Sequence, residues 1–133
     1  MSTMVFTNYP VQDVQASTEF YEKLGFTKVQ EMSDEHASSM KWDDSFCIMV
    51  LSHEFYSKFL KDKKIADTKV QSGTLTAFLV ESPDAVRKIA EAAKANGGDY
   101  FAVDMGIPED QMFSLEVTDP DGNQFEPVWM KTP

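Results

Sequence analysis

The chain is 133 residues long, 42% apolar and 26% charged, with a formal net charge of −10. That size and balance suit one globular domain with a real core and argue against a disordered or membrane-spanning chain. The lysines are scattered among acids, gathered only at "KDKK" (61–64), which argues against a nucleic-acid partner and mildly favours a cationic or neutral small molecule.

The first apolar stretch, "MVFTNYPV" (4–11), is rich in β-formers and reads as a strand. Asp13 is placed to cap a helix over "VQASTEFYEKL" (14–24), and Gly25 stands where a helix end favours positive φ. "FTKVQEM" (26–32) and "HASSMKW" (36–42) read as strands. The second turns at "DDS" and returns as "FCIMVLS" (46–52). "EFYSKFLKD" (54–62) predicts a short helix with Phe55 and Phe59 on one side, and a polar connector follows.

The pattern then recurs. "TLTAFLVE" (74–81) reads as a strand, and Ser82 caps a helix through "DAVRKIAEAAKAN" (84–96) with Pro83 at its first position. Val86, Ile89, Ala90 and Ala93 are spaced for one buried face. "NGG" ends that helix, and "DYFAVDM" (99–105), "MFSLEVT" (112–118) and "QFEPVWM" (124–130) supply three strands. The order βαβββ therefore occurs twice, about 70 residues apart.

These boundaries predict a single α+β domain over 1–133. It divides into a module at about 1–53, a connector at 54–72 and a second module at 73–133. One such module covers a single sheet face. Pairing two modules into a curled mixed sheet, helices outside, makes a cup with a concave ligand face. Cys47 is the one cysteine, so no intrachain disulfide forms. The opening "MSTMVFTNYPV" lacks the marks of a secretory leader, and the expected location is the cytoplasm, with no membrane partner.

The turn "DPDGN" (119–123) explains itself locally. Asp119 and Asp121 can hydrogen-bond nearby backbone, Pro120 presets φ, and Gly122 and Asn123 tolerate positive φ. Followed by "QFE", preceded by "PVQDVQASTEFYEKLGF" and set in the doubled βαβββ order, it resembles the vicinal oxygen chelate superfamily. That family includes glyoxalase I, extradiol dioxygenases, bleomycin-resistance proteins and fosfomycin-resistance enzymes.

The resemblance implies four metal-ligand positions on separate strands. They fall here on Phe6, on Met49 or Val50, within Thr74–Thr76, and on Glu126. Only Glu126 offers a good donor to a divalent metal. His36 and His53 stand away from those positions and read as exposed or capping residues. The expectation is therefore a small-molecule binder with no tightly held metal. Its alternative is a glyoxalase-like lyase or dioxygenase with a divalent metal at Glu126.

Alternation along the last strand separates Glu126, Val128 and Met130 from Phe125, Pro127 and Trp129. An inward Glu126 reads first as a relic of the fold, hydrogen-bonded to Ser or Thr in a wet cavity, and otherwise as a recognition group for a cationic or hydrogen-bonding ligand or a general base with a raised pKa. Phe6, Asn8, Val50, Thr76, Ser114 and Glu116 complete the expected ligand-binding set. Cys47 reads as an inert core thiol. The resemblance further implies a homodimer.

Overall fold

A computed structural model describes residues 2–133. The chain runs β1 (Val5–Val11), α1 (Val14–Lys23), β2 (Thr27–Lys28), β3 (Ala37–Lys41), β4 (Phe46–Ser52) and α2 (His53–Ser57). The second half runs β5 (Thr76–Leu79), α3 (Pro83–Ala95), β6 (Asp99–Phe101), β7 (Met112–Ser114), β8 (Glu116–Thr118) and β9 (Gln124–Met130). The architecture is α+β, with βαβββ order in the first half and the same order in the second, where one strand is interrupted to give β7 and β8. The strands form two open mixed sheets, ordered β1-β4-β3-β2 and β5-β9-β8-β6, with β7 also on β9.

The caps follow the sequence. Asp13 accepts from Ala16 N and Ser82 from Ala85 N, each satisfying an orphan donor of a first helical turn. Gly25 ends α1 with a φ of 107°.

Several expected elements are shorter than their apolar runs. "FTKVQEM" gives only the two-residue β2 before the chain tightens into a 3-10 turn at Gln30–Met32. Its Ser33 hydroxyl donates to Val29 O, and its N–H to Gln30 O, so local bonds replace a ladder. The helix expected over 54–62 spans His53–Ser57 and is capped by Ser52. Lys61 beyond it has a φ of 58°, which no helix continues through. The strand expected over 112–118 is two, β7 and β8, on one register against β9. The ladder lapses at Leu115, which that register sets opposite Pro127, a residue with no N–H to donate.

One core joins the halves. The apolar side of α1 (Phe20, Tyr21), Leu24 at its C-terminal cap and the apolar side of α3 (Val86, Ile89, Ala90, Ala93) meet Tyr9, Met40, Ile48, Val50, Phe78, Val117 and Phe125 in a single cluster. Aromatic rings cross the boundary directly. Tyr21 lies 5.8 Å from Phe125, and Phe26 lies 6.0 Å from Phe78. Burying one such ring is worth about 2–3 kcal/mol, so this seam alone couples the modules strongly. Each sheet turns the opposite face away from α1 and α3. That outer face carries Phe6 and Asn8 on β1, Ala77 and Leu79 on β5, and Gln124 and Glu126 on β9.

Candidate functional site

β9 positions the site because its two faces differ in kind. Phe125 is fully buried in the shared core, so alternation turns Gln124, Glu126 and Val128 to the outer face. β8 and β7 add Glu116 and Ser114 beside them. The Ser114 hydroxyl donates to Glu126 Oε2 at 3.2 Å, and Gln124 Nε2 donates to Glu116 Oε1 at 2.9 Å. Glu116 is 8% exposed and stands against Glu126. Two carboxyls so placed share a proton more readily than they ionise together. The hydrogen bond with Glu116, then burial, then the like charge of Glu116 push the Glu126 carboxyl up to about 7, partly opposed by Ser114.

This shift sets a pH dependence. The folded state holds the Glu126 proton more tightly than the unfolded chain does. The stabilisation is complete below about 4.5 and is lost as the pH climbs through about 7. Solvent reaches Glu126, which reduces the effect. Glu126→Gln is expected to raise stability at pH 8 by about 1 kcal/mol. It should also flatten the fall between pH 4.5 and 7, as read from urea midpoints across that range.

Glu116, Glu126, Leu75, Thr76, Ala77 and Phe125 line a small hollow of about 80 Å³. Beside it, at the seam of the two sheets, lies a larger cavity of about 560 Å³. Asn8 and Pro10 of β1 form one wall, Thr118 and Gln124 another, and Tyr56 with the connector from Thr68 to Thr74 covers it. The connector is held there by the turn at 119–123: the Thr68 hydroxyl donates to Asp121 O at 2.7 Å. Gly122, at a φ of 89°, lies so close that an added Cβ would sit 2.4 Å from Thr68 O. Gln124 links the two spaces: it lines the larger cavity and bonds Glu116, which lines the hollow.

The turn itself is built around Asp119, which is 3% exposed. Its Oδ1 accepts from Asp121 N and Asn123 N, both at 2.9 Å, and its Oδ2 from Tyr21 Oη at 2.8 Å and Asn123 Nδ2 at 3.0 Å. Burial nevertheless pushes this carboxyl up to about 6. Asn123 Nδ2 also donates to Pro10 O, and Gln12 N to Asp121 Oδ1, fastening β1 to the second module.

Glu126, Ser114 and Glu116 are thus brought into contact, and Asn8 lies on the neighbouring cavity wall. Phe6, 40% exposed, shares the outer face of the first sheet and lines neither space. Val50 is displaced from the expected set: fully buried, it packs with Phe46 and Ile48 in the shared core, and the outer face belongs to Cys47, Met49 and Leu51. Thr76 alternates with Ala77 onto the Phe78 side, next to the Tyr9 hydroxyl, and only borders the small hollow. Cys47 is buried beside Ser39 Oγ at 3.0 Å, and burial raises its thiol pKa. Two contributors were not anticipated, Gln124 and the connector. Alternation with Glu126 already marked the first; the second carries no periodic signal.

A metal would need several convergent donors. Phe6, Met49 and Thr76 supply none of the usual kind. Among the described residues no three or more His, Cys, Asp or Glu side chains are grouped to share an ion. His36 is exposed beside Glu35 and stacks on Phe55, on the first module. Among the described residues no helix is long and apolar enough to cross a membrane.

Residues 3–126 match the model of the Glyoxalase/Bleomycin resistance protein/Dioxygenase superfamily. Among solved structures, a glyoxalase/bleomycin resistance protein/dioxygenase family enzyme from Burkholderia phytofirmans PsJN superposes with a TM-score of 0.76 at 19% identity, over 97% of this chain and 99% of that one. A glyoxalase-related enzyme from Fulvimarina pelagi gives 0.71 at 19% identity, over 97% and 88%. A bleomycin-binding protein in complex with bleomycin gives 0.65 at 17% identity, over 98% and 100%. A search of curated protein sequences found no match.

Proposed function

The chain belongs to the Glyoxalase/Bleomycin resistance protein/Dioxygenase superfamily, and from that membership we propose that it binds a small organic cation in the seam cavity, without a tightly held metal. The observation that carries this reading is the Glu116–Glu126 pair, set in the wall beside a cavity of ligand size. Keeping two carboxyls together on an accessible face costs stability, and a cationic guest offsets that cost by taking the place of the shared proton. A bleomycin-binding protein of the same fold supports the use of this architecture as a receptacle. The metal-free form rests on the donor set: at the four positions implied by the family resemblance, Glu126 alone is a strong ligand.

Isothermal titration with aromatic monocations and their uncharged analogues tests the proposal. The cations are expected to bind, the neutral analogues not, and Glu126→Gln to weaken binding roughly tenfold, about 1.4 kcal/mol. Stoichiometric metal retained after dialysis, with turnover lost on chelation, would replace this reading with a metal-dependent lyase or dioxygenase.

Exposed apolar side chains on the outer faces and in the segment after β6 also support a homodimer. Phe6, Leu79, Phe101, Val103, Met105 and Ile107 are each 40–54% exposed, an apolar complement suited to burial against a second copy. Gel filtration at micromolar concentration is expected to give twice the chain mass; elution as a monomer overturns the dimer.

A further inference from the structure

We infer that Gln124 makes this site selective for cations that carry an N–H, namely primary ammonium, guanidinium or amidinium groups on an apolar body, over quaternary ammonium. The inference rests on the cation-binding reading above and narrows it. Among the described residues, Gln124 alone both lines the larger cavity and bonds the carboxyl pair. Its backbone is fixed twice, by pairing with Thr118 in the ladder and by the Tyr9 hydroxyl on its carbonyl. Its side-chain orientation follows from chemistry. A carboxyl oxygen without a proton only accepts, and the amide offers Nε2 to Glu116 Oε1 at 2.9 Å. The amide oxygen, an acceptor, is then the group left for a guest.

Glu116 is nearly buried and reaches a ligand chiefly through this amide. Asp119, on the same wall, is fully engaged by four donors. Lys69 contributes the other charge, on an exposed side chain of the connector, where water screens it. A guest with an N–H gives a hydrogen bond to the Gln124 oxygen while its charge lies toward the acidic pair. A trimethylammonium group has no hydrogen to give, and it leaves that acceptor without a partner in a partly desolvated wall.

The test uses 2-phenylethylguanidinium and 2-phenylethyltrimethylammonium, titrated into the wild-type chain and into Gln124→Met. The wild type is expected to prefer the guanidinium at least tenfold, and Gln124→Met to bring the two within about twofold. Equal binding of both probes to the wild type overturns the inference while leaving the cation reading in place. A preference undiminished in Gln124→Met overturns the role of Gln124. If neither probe binds, the cation reading fails and the inference with it. Should circular dichroism show Gln124→Met unfolded, Gln124→Ala takes its place.

Discussion

Asp119→Ala is expected to destabilise the chain by about 3–5 kcal/mol, the range for breaking a buried, fully bonded charged group. The carboxylate accepts from two backbone N–H groups, the Asn123 amide and the Tyr21 hydroxyl. Alanine leaves all four donors without that acceptor, and three of them belong to a turn that fastens the modules together. Tyr21→Phe removes one donor only, so about 1–2 kcal/mol is expected there. The order of the two effects matters more than either number. Equilibrium urea unfolding of both variants at pH 7 checks it, and a loss for Asp119→Ala no larger than for Tyr21→Phe would show that the turn does not depend on this carboxylate.

The second large effect is expected at Gly98, for a purely steric reason. A Cβ added there would stand 2.2 Å from Thr118 O and 3.1 Å from the Phe20 ring. The ring can shift by a few tenths of an ångström; the carbonyl cannot, because Thr118 is paired with both Asp99 and Gln124 in the ladder. Gly98→Ala is therefore expected to cost roughly 3 kcal/mol or more, at the upper end for overpacking. Gly73, with nothing within 4 Å of an added Cβ, is the matched control. Gly73→Ala should change the thermal midpoint hardly at all. A mild Gly98→Ala would mean that β6 and β8 separate more easily than their ladder implies.

What the sequence made legible follows from contrast between residue types. In β9 one face is Phe125, Pro127 and Trp129 and the other Gln124, Glu126 and Met130, so alternation alone decides which side meets the core. In β4 both faces are apolar: Phe46, Ile48 and Val50 against Cys47, Met49 and Leu51. Nothing in the strand itself distinguishes them. The choice is made by where α1 packs, which is why Val50 lies in the core rather than in the expected site. The helix starts were readable because Asp13 and Ser82 carry the caps in their own side chains. The ends of β2, β6 and α2 were not, since they depend on where a partner strand stops or a single backbone angle changes sign. The connector's place over the cavity was the least accessible. It rests on one hydroxyl, Thr68, and on the bare backbone of Gly122.

The aromatic seam between the halves carries a consequence for how the doubled architecture comes apart. Tyr21 rests on Phe125 and Phe26 on Phe78, so neither repeat keeps a complete oily interior once the other leaves. Whatever their origin, the two repeats no longer behave as separable beads. Tryptophan emission, reporting Trp42 in one half and Trp129 in the other, should melt in step with the helical signal, as one all-or-none event.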